Sequence, residues 1–304
     1  MIKIGTVLNT ETSVDKVVAE ARRIAEAGFA SAWATQIFGL DALSALAVVG
    51  ASVPNLELGT AVIPVYGRHP QVLAQSAMTT QSASGGRLTL GIGLSHRLVV
   101  EELWGESYDR PASYMAEYLD ALVPLLNGQA ALHVGERIKA ITMGPLSIEA
   151  SRPGLLLAAL APRMLSLAGT IADGTVTWMT GISTIASHVT PLLSEAAAGA
   201  GRPAPRIAVA LPICLTDDPT RAKSMIDEEL AIYPTLPSYA AMLEKEGATS
   251  ASGIGLIGSA EEIIDGIGRL EEAGGTELLG GVGGTSEERE ATFELLAELA
   301  RAKN

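Results

Sequence analysis

Short apolar runs alternate with longer amphipathic segments along the chain, and this alternation constrains the fold more than any other feature. The short runs are typical of buried parallel strands, and the longer segments repeat apolar residues at helical spacing. Eight strand–helix pairs in series predict an α/β protein whose sheet closes into a (β/α)8 TIM barrel. The predicted strands are residues 2–8, 31–34, 56–63, 87–92, 154–159, 174–177, 207–215 and 277–282, with an extra short strand at 254–257.

The predicted helices lie between these strands. In residues 13–27, Val17, Ala21 and Ile24 share one face, and Gly28 is suited to end the helix in the left-handed conformation. The other predicted helices are residues 41–52, 70–83, 112–126, 162–171, 182–198, 219–246, 260–273 and 287–302.

Two stretches are longer than the connections between strands that a barrel requires. Residues 128–152 form an insertion between a helix and the next strand, and residues 219–246 are broken into paired helices by Pro234 and Pro237. Insertions on the C-terminal face of the strands commonly cover an active site. A length of 304 residues suits one barrel, so we expect a single domain over residues 1–304.

Charge and cysteine content argue against several classes of function. The net charge of −13 disfavours nucleic acid and anionic membranes as partners. The one cysteine, Cys214, lies in an apolar run, where we expect a packed thiol in a reducing cytoplasm. No run approaches the ~18 apolar residues of a membrane span, so a cytoplasmic location is expected.

Common catalytic motifs are absent from the sequence or occur in the wrong context. Residues 253–258 fit the GxGxxG pattern, but these glycines lie within strand-like residues instead of following a strand. Ser259 and Glu262 are better explained as a capping box at a helix start. The four histidines have no metal-ligand spacing, so no metal site is expected.

Polar and aromatic residues follow several of the predicted strands, where the active sites of β/α barrels lie. Gln36 follows the second strand, Tyr66 the third, and His96 the fourth, while Arg163 lies between the fifth strand and its helix. The motifs around these positions are LGTAVIP at 58–64, RHP at 68–70, SGGR at 84–87, LGIG at 90–93, GESYDRP at 105–111, LAPRM at 160–164 and ADGTVTW at 172–178. Together they resemble the luciferase-like monooxygenase superfamily, in its coenzyme F420-dependent, methylenetetrahydromethanopterin reductase-like branch.

The resemblance implies a deazaflavin, coenzyme F420, lying across the barrel mouth. Small residues on strands three and four, such as Gly59 and Gly91, would let a planar ring approach the backbone, but tight barrel packing explains them equally well. The resemblance also implies that the peptide between Ala61 and Val62 is cis. The implied cofactor-binding residues are Gln36, Ala61, Val62, Gly93, Ser95, His96, Ala161, Pro162, Arg163 and Met164.

Two of these residues are candidates for specific chemistry. Arg163, beside free helix amides, is suited to bind the phosphate of the cofactor, and the alternative is a solvated arginine at a helix start. His96 is the candidate catalytic residue, because a histidine beside the ring could donate a hydrogen bond or exchange a proton near neutral pH. A packing role for His96 is equally consistent, and His69 is expected to be a structural helix cap.

One difference from the family bears on the expected direction of the reaction. In its sugar-phosphate dehydrogenase members an Asp-His pair follows the second strand, whereas this chain has Gln36 and Ile37. Ile37 cannot act as a base, so reduction of a substrate is expected rather than oxidation of an alcohol. Tyr66 and Trp178 are the candidate substrate-binding residues for a partly apolar small molecule.

Three functions remain open at this point. The leading hypothesis is an F420-dependent oxidoreductase that transfers a hydride to or from an unidentified small molecule. The alternatives are an FMN-dependent luciferase-like monooxygenase and a flavin- or deazaflavin-binding barrel without turnover. Apolar positions on helices 41–52 and 70–83 predict a homodimer, as in the family.

Overall fold

Parallel strands close into a barrel in the computed structural model, which describes residues 2–303. The strands of the described chain are β1 Lys3–Leu8, β2 Ser31–Ala34, β3 Glu57–Thr60, β4 Ile63–Pro64, β5 Leu88–Gly93, β6 Leu132–Val134, β7 Lys139–Ile141, β8 Gly154–Leu157, β9 Gly174–Thr177, β10 Arg206–Leu215, β11 Leu256–Gly258 and β12 Glu277–Val282.

Eight of these strands form the closed ring. Parallel pairing runs through β1, β2, β3, β5, β8, β9, β10 and β12 and returns to β1. β4 continues the line of β3 by pairing with β5, and the last residues of β10 also pair with β11. The predicted (β/α)8 barrel is therefore confirmed.

Helices cover the outside of the ring. The first buries Val17, Ala21 and Ile24 and ends at Gly28, whose φ of 91° lies in the left-handed region, as predicted. No helix within residues 2–303 combines the length and apolarity that a membrane crossing requires. The helices are α1 Val14–Ala27, α2 Ala42–Ser52, α3 Pro70–Ala83, α4 Pro111–Leu126, α5 Pro162–Thr170, α6 Ile182–Thr184, α7 Thr190–Gly199, α8 Pro219–Glu229, α9 Pro237–Glu246, α10 Ala260–Glu272 and α11 Ser286–Lys303.

Two predicted elements are interrupted in the structure. The predicted strand 56–63 divides into β3 and β4, and the peptide between Ala61 and Val62 is cis, as predicted. The predicted helix 182–198 contains π-helical turns at Ile185–Val189. Pro191 follows them and has no backbone N–H for a regular α-helical hydrogen bond, which the prediction of one continuous helix did not take into account.

The insertion at residues 128–152 is a hairpin of β6 and β7 that packs beside α4. Glu117 of α4 accepts hydrogen bonds from the backbone amides of Arg137 and Ile138. The Arg137 guanidinium donates to the carbonyl oxygens of Ser107 and Asp109, each at 2.7 Å. The hairpin starts from the N-terminal end of the barrel. Through Arg137 at the hairpin tip, it supports the loop of residues 107–109 at the C-terminal end of the barrel.

The late glycine-rich stretch is structural, as the sequence indicated. Residues 253–258 form the end of a 3-10 turn and β11 rather than a phosphate-binding loop after a strand. Ser259 and Glu262 form the predicted capping box at the start of α10. Cys214 is buried in β10, and burial raises the pKa of its thiol to about 11, as expected for a packed side chain.

An ion pair between a buried carboxylate and a partly exposed arginine lies at the N-terminal end of the barrel interior. Glu277 of β12 is 1% exposed and accepts hydrogen bonds from Arg206 Nη2 at 2.9 Å and Ser31 Oγ at 2.5 Å. Trp33 Nε1 also donates to Glu277, at 3.1 Å. Arg206 donates in addition to Thr89 Oγ1, so side chains from β2, β5, β10 and β12 meet at this pair.

We expect Glu277→Gln to lower the free energy of unfolding by about 1–3 kcal/mol, since it removes the charge that pairs with Arg206 in a water-poor site. The matched control is Glu57→Gln, which breaks an ion pair with Lys3 whose side chains are 49% and 46% exposed. That variant should stay within about 0.5 kcal/mol of the wild type. Urea unfolding measures both, and equal effects would contradict the structural role of Glu277.

Candidate active site at the barrel mouth

Four aromatic rings line the C-terminal mouth of the barrel from β9 to β5, and we call them the aromatic arch. Trp178 directly follows β9, Tyr233 and Tyr239 lie in the 219–246 insertion, and His96 follows β5. Successive ring centroids lie 5.7, 5.5 and 5.3 Å apart. The insertion therefore covers this part of the mouth with aromatic side chains, as predicted for residues 219–246.

The insertion that carries Tyr233 and Tyr239 is fixed at two points. At the end of α9, Glu246 accepts hydrogen bonds from the amides of Ser183 and Thr184, at 3.0 and 2.7 Å, and from the Thr184 hydroxyl at 2.6 Å. In α8, Asp227 accepts hydrogen bonds from the amide and hydroxyl of Ser252, both at 2.8 Å. These anchors hold the aromatic arch over the barrel.

The other four tyrosines form a second group, the tyrosine stack. Tyr66 stacks on Tyr114 with centroids 4.4 Å apart and planes inclined by 4°, and Tyr108 and Tyr118 complete the group. Tyr66 is 2% exposed, so its ring is buried within this group. Its role as a substrate contact stays a prediction.

Three buried polar atoms of this region have no hydrogen-bond partner among residues 2–303. They are the hydroxyl of Tyr66, Oγ1 of Thr177 and Nε1 of Trp178. A buried polar group without a partner costs roughly 1–3 kcal/mol, so such groups concentrate where a bound molecule supplies the missing contact. Trp178 Nε1 belongs to the aromatic arch; the Tyr233 hydroxyl is near enough to interact with it but forms no hydrogen bond of normal geometry.

His96 is half-buried at the end of the arch. Its imidazole forms no hydrogen bond within the described chain, and burial lowers its pKa, so the ring is neutral near pH 7. The preceding residue, Ser95, has a φ of 58°, and its carbonyl accepts a hydrogen bond from the Tyr108 hydroxyl at 3.1 Å. The loop that presents His96 is thereby attached to the tyrosine stack.

Ala61 and Val62 pack at the edge of the barrel interior together with Trp178. The glycines nearby have packing roles: a Cβ on Gly59 would lie 2.2 Å from the Trp33 ring, and one on Gly93 would lie 2.8 Å from Val62. A Cβ on Gly91 would lie 1.9 Å from the Thr60 carbonyl oxygen. Packing therefore accounts for these three glycines without any ligand.

The start of α5 lies between the two ends of the arch. Ala161, Pro162 and Arg163 are exposed, Met164 is buried, and no side chain caps the helix at Ala161. The Arg163 guanidinium makes one contact in the described chain, a 3.3 Å hydrogen bond to the Ser113 hydroxyl. The helix amides and the Arg163 cation thus remain available to an anion.

Two predicted residues have structural partners. Gln36 accepts a hydrogen bond from the amide of Ala42 at 2.8 Å through Oε1, and so helps to cap α2 while its amide nitrogen stays available. His69 caps α3, as predicted, by accepting from the amide of Gln71 through Nδ1. Nε2 of His69 therefore carries the proton and donates to the Lys139 carbonyl at 3.0 Å.

Sequence reasoning missed Tyr233, Tyr239 and His188. His188 Nε2 forms a 2.8 Å hydrogen bond with the carbonyl of Leu160 and supports the loop before α5. The two tyrosines had one detectable signal, namely their position in an insertion broken by Pro234 and Pro237.

We expect the phenolic protons of the native protein to be released above the usual tyrosine pKa of about 10, since burial raises the pKa of all six tyrosines. For Tyr108 and Tyr114 it rises to about 12. The folded chain holds these protons more tightly, so the free energy of unfolding should fall as pH rises above about 10. Phenolate absorbance in buffer and in urea measures this, and native titration near pH 10 would contradict the burial of both aromatic groups.

The profile of the family described as luciferase-like monooxygenase matches residues 1–277. A Mycobacterium tuberculosis protein, provisionally named a coenzyme F420-dependent oxidoreductase, is 30% identical over 234 residues, which cover 68% of this chain and 65% of that relative. The matched region thus spans less than two thirds of that relative's length.

Two solved structures show the same fold. The coenzyme F420-dependent tetrahydromethanopterin reductase from Methanopyrus kandleri has a TM-score of 0.82 at 20% identity, covering 98% of this chain and 97% of that one. The FMN complex of the oxygenating constituent of 3,6-diketocamphane monooxygenase, from Pseudomonas putida, has a TM-score of 0.78 at 16% identity, covering 100% and 98%. Together with the match over residues 1–277, the barrel and its mouth show that the chain belongs to the luciferase-like monooxygenase family.

Proposed function

We propose that the protein is an F420-dependent oxidoreductase that transfers a hydride between the deazaflavin and a partly apolar small molecule, in the direction of substrate reduction. The observation that carries this proposal is the arrangement between β3 and β9. There, an apolar wall at Ala61 and Val62, the unpaired Trp178 Nε1 and the exposed Arg163 border one mouth. The name of the Mycobacterium tuberculosis relative supports the choice of F420.

The chemical character of these residues matches the parts of a deazaflavin cofactor. Ala61 and Val62 offer a flat apolar surface to a planar ring, and the α5 start with Arg163 offers amides and a cation to a phosphate. We assign Gln36, Gly93, Ser95 and His96 to the polar and backbone contacts around the ring, and Ala161, Pro162 and Met164 to the phosphate end.

The bound deazaflavin supplies the hydride chemistry. The chain's own residues bind, orient and exclude water: the aromatic arch covers the mouth, and the anchors at Glu246 and Asp227 keep it in place. His96 is a neutral imidazole with one N–H, which can donate a hydrogen bond or a proton to the oxygen or nitrogen of a substrate.

The end of β2 favours reduction over alcohol oxidation. Gln36 is partly occupied in capping α2, and Ile37 is 53% exposed and has no titratable group. A base that removes a hydroxyl proton is therefore missing at this strand end. Assembly as a homodimer through α2 and α3, where Val48 and Val72 are exposed, and a cytoplasmic location both stay predictions.

We expect Arg163→Ala to weaken F420 binding by about 1–3 kcal/mol, because it removes a charge-assisted hydrogen bond to the phosphate. The turnover number at saturating F420 should change little. Fluorescence titration of the apoprotein measures the affinity, and Arg22→Ala on the exposed face of α1 is the matched control. Equal F420 affinity in the wild type and Arg163→Ala would exclude Arg163 from the cofactor site.

We expect reduced F420 to reduce an enone or imine-like acceptor, whereas glucose 6-phosphate should not reduce oxidised F420. The reason is the missing base at Ile37, together with the absence of a lysine directly after Trp178 to hold a sugar phosphate. The absorbance of oxidised F420 reports both reactions. Robust bleaching of F420 with the sugar would contradict the argument from Ile37.

A second candidate is an FMN-dependent monooxygenase, which the fold shared with the FMN-bound Pseudomonas putida enzyme favours. FMN retained on purification, or oxygen consumption with reduced FMN, would support it over the F420 enzyme. Tight F420 binding with no hydride acceptor would instead support a binding protein without turnover.

A further inference from the structure

A cavity of about 650 Å³ lies on the β1–β12 side of the mouth, away from the α5 start. Its inner wall includes Trp178 and Pro212, which border the barrel interior. Its outer wall includes Ile226 of α8 and Phe293 of α11, which lie among the surrounding helices. The cavity therefore connects the barrel mouth with a groove between α1, α8 and α11.

The connection depends on glycines at the C-terminal end of β12. Gly280, Gly281 and Gly283 line the cavity and place no side chain in the wall that separates the barrel from its helices. A Cβ on Gly281 would lie 3.1 Å from the Leu211 carbonyl oxygen, and one on Gly283 would lie 2.9 Å from Ile226. The cavity thus gives a molecule bound at the mouth a path outward past Trp178.

Glu20 of α1 is the carboxylate of this cavity lining that has no ion pair among residues 2–303. One carboxylate oxygen accepts a hydrogen bond from the amide of Asn9 at 3.1 Å, and the other has no partner within residues 2–303. No described cation lies within ion-pair distance of Glu20. Burial raises the pKa of its carboxyl, and the Asn9 amide and the charge of nearby Arg23 offset only part of that rise. A positive ligand would stabilise the charged form.

The two arginines that line the cavity are already paired. Arg289 donates to the carbonyls of Gly284 and Val282, both at 2.9 Å, and to Glu229 at 2.7 Å. Arg23 pairs with Glu290 at 2.5 Å, and its guanidinium lies 4.0 Å from the centroid of the Phe293 ring. An anionic ligand would have to break these contacts and approach Glu20, and the net charge of −13 disfavours it further.

We propose that this cavity binds the distal part of the substrate, which carries an amine beside Glu20 and an apolar or aromatic body along Leu230 and Ile226 toward Trp178. The inference names the substrate class and rests on the proposed function, since the reacting end would lie at the mouth. A charged amine next to a partly buried carboxylate forms a charge-assisted hydrogen bond, and the apolar lining contributes in proportion to the area removed from water.

Three probes of similar shape test the proposal by calorimetry on the apoprotein: phenylbutylamine, phenylbutanol and phenylbutyrate. We expect the amine to bind most tightly, the alcohol more weakly and the carboxylate not at all. Glu20→Gln keeps an acceptor for the Asn9 amide, and it should weaken amine binding by roughly tenfold or more and leave alcohol binding unchanged. Glu26→Gln, on the exposed face of the same helix, should change neither.

A steric variant locates the site. Leu230→Trp, at the cavity end of α8, should abolish binding of both the amine and the alcohol. No amine binding by the wild type, equal binding of all three probes, or an unchanged amine affinity in Glu20→Gln would each overturn the inference. F420 titration of the same proteins separates the two proposals: absence of F420 binding refutes the proposed function, whereas amine binding to the apoprotein is measured without F420.

Discussion

The ion pair between Glu277 and Arg206 is the constraint on which the rest of the barrel depends. It fills the N-terminal end of the interior and, with Ser31, Trp33 and Thr89, joins side chains from four of the eight strands. A buried charge pair is strongly destabilising when one partner is lost, so this group fixes the relative positions of those strands. These side chains occupy the N-terminal end, and the candidate site lies at the opposite, C-terminal mouth.

The mouth is built on elements that hydrogen bonds hold in place. His188 supports the loop before α5, the Tyr108 hydroxyl fixes the loop of Ser95 and His96, and Glu246 attaches the insertion to α6. Groups that bind a planar cofactor must keep their positions to within a fraction of an ångström, and such supports provide that pre-organisation. Two of the supporting residues, His188 and Glu246, come from outside the motifs that resemble the family, whereas Tyr108 belongs to the motif at 105–111.

The sequence predicted the barrel, the αL end of α1 at Gly28 and the capping box at Ser259, because periodicity and capping depend on residues close in the chain. It did not predict the pair of Glu277 with Arg206, which lie 71 residues apart, or the approach of Tyr239 to His96. Periodicity shows which face of an element is buried but not which distant element covers it. For the same reason the glycines of β5 could be explained by packing or by a ligand until their neighbours were known.

The positions of the three tryptophans give the protein separate intrinsic optical reporters. Trp33 is 1% exposed and belongs to the polar cluster at the closed end of the barrel, so its emission follows global unfolding. Trp104 is 43% exposed at the end of a π-helical segment and reports on the solvent-facing surface. Trp178 stands where the aromatic arch meets the β1–β12 cavity, so emission from a chain that retains only this indole would distinguish occupancy of the mouth from changes in the fold.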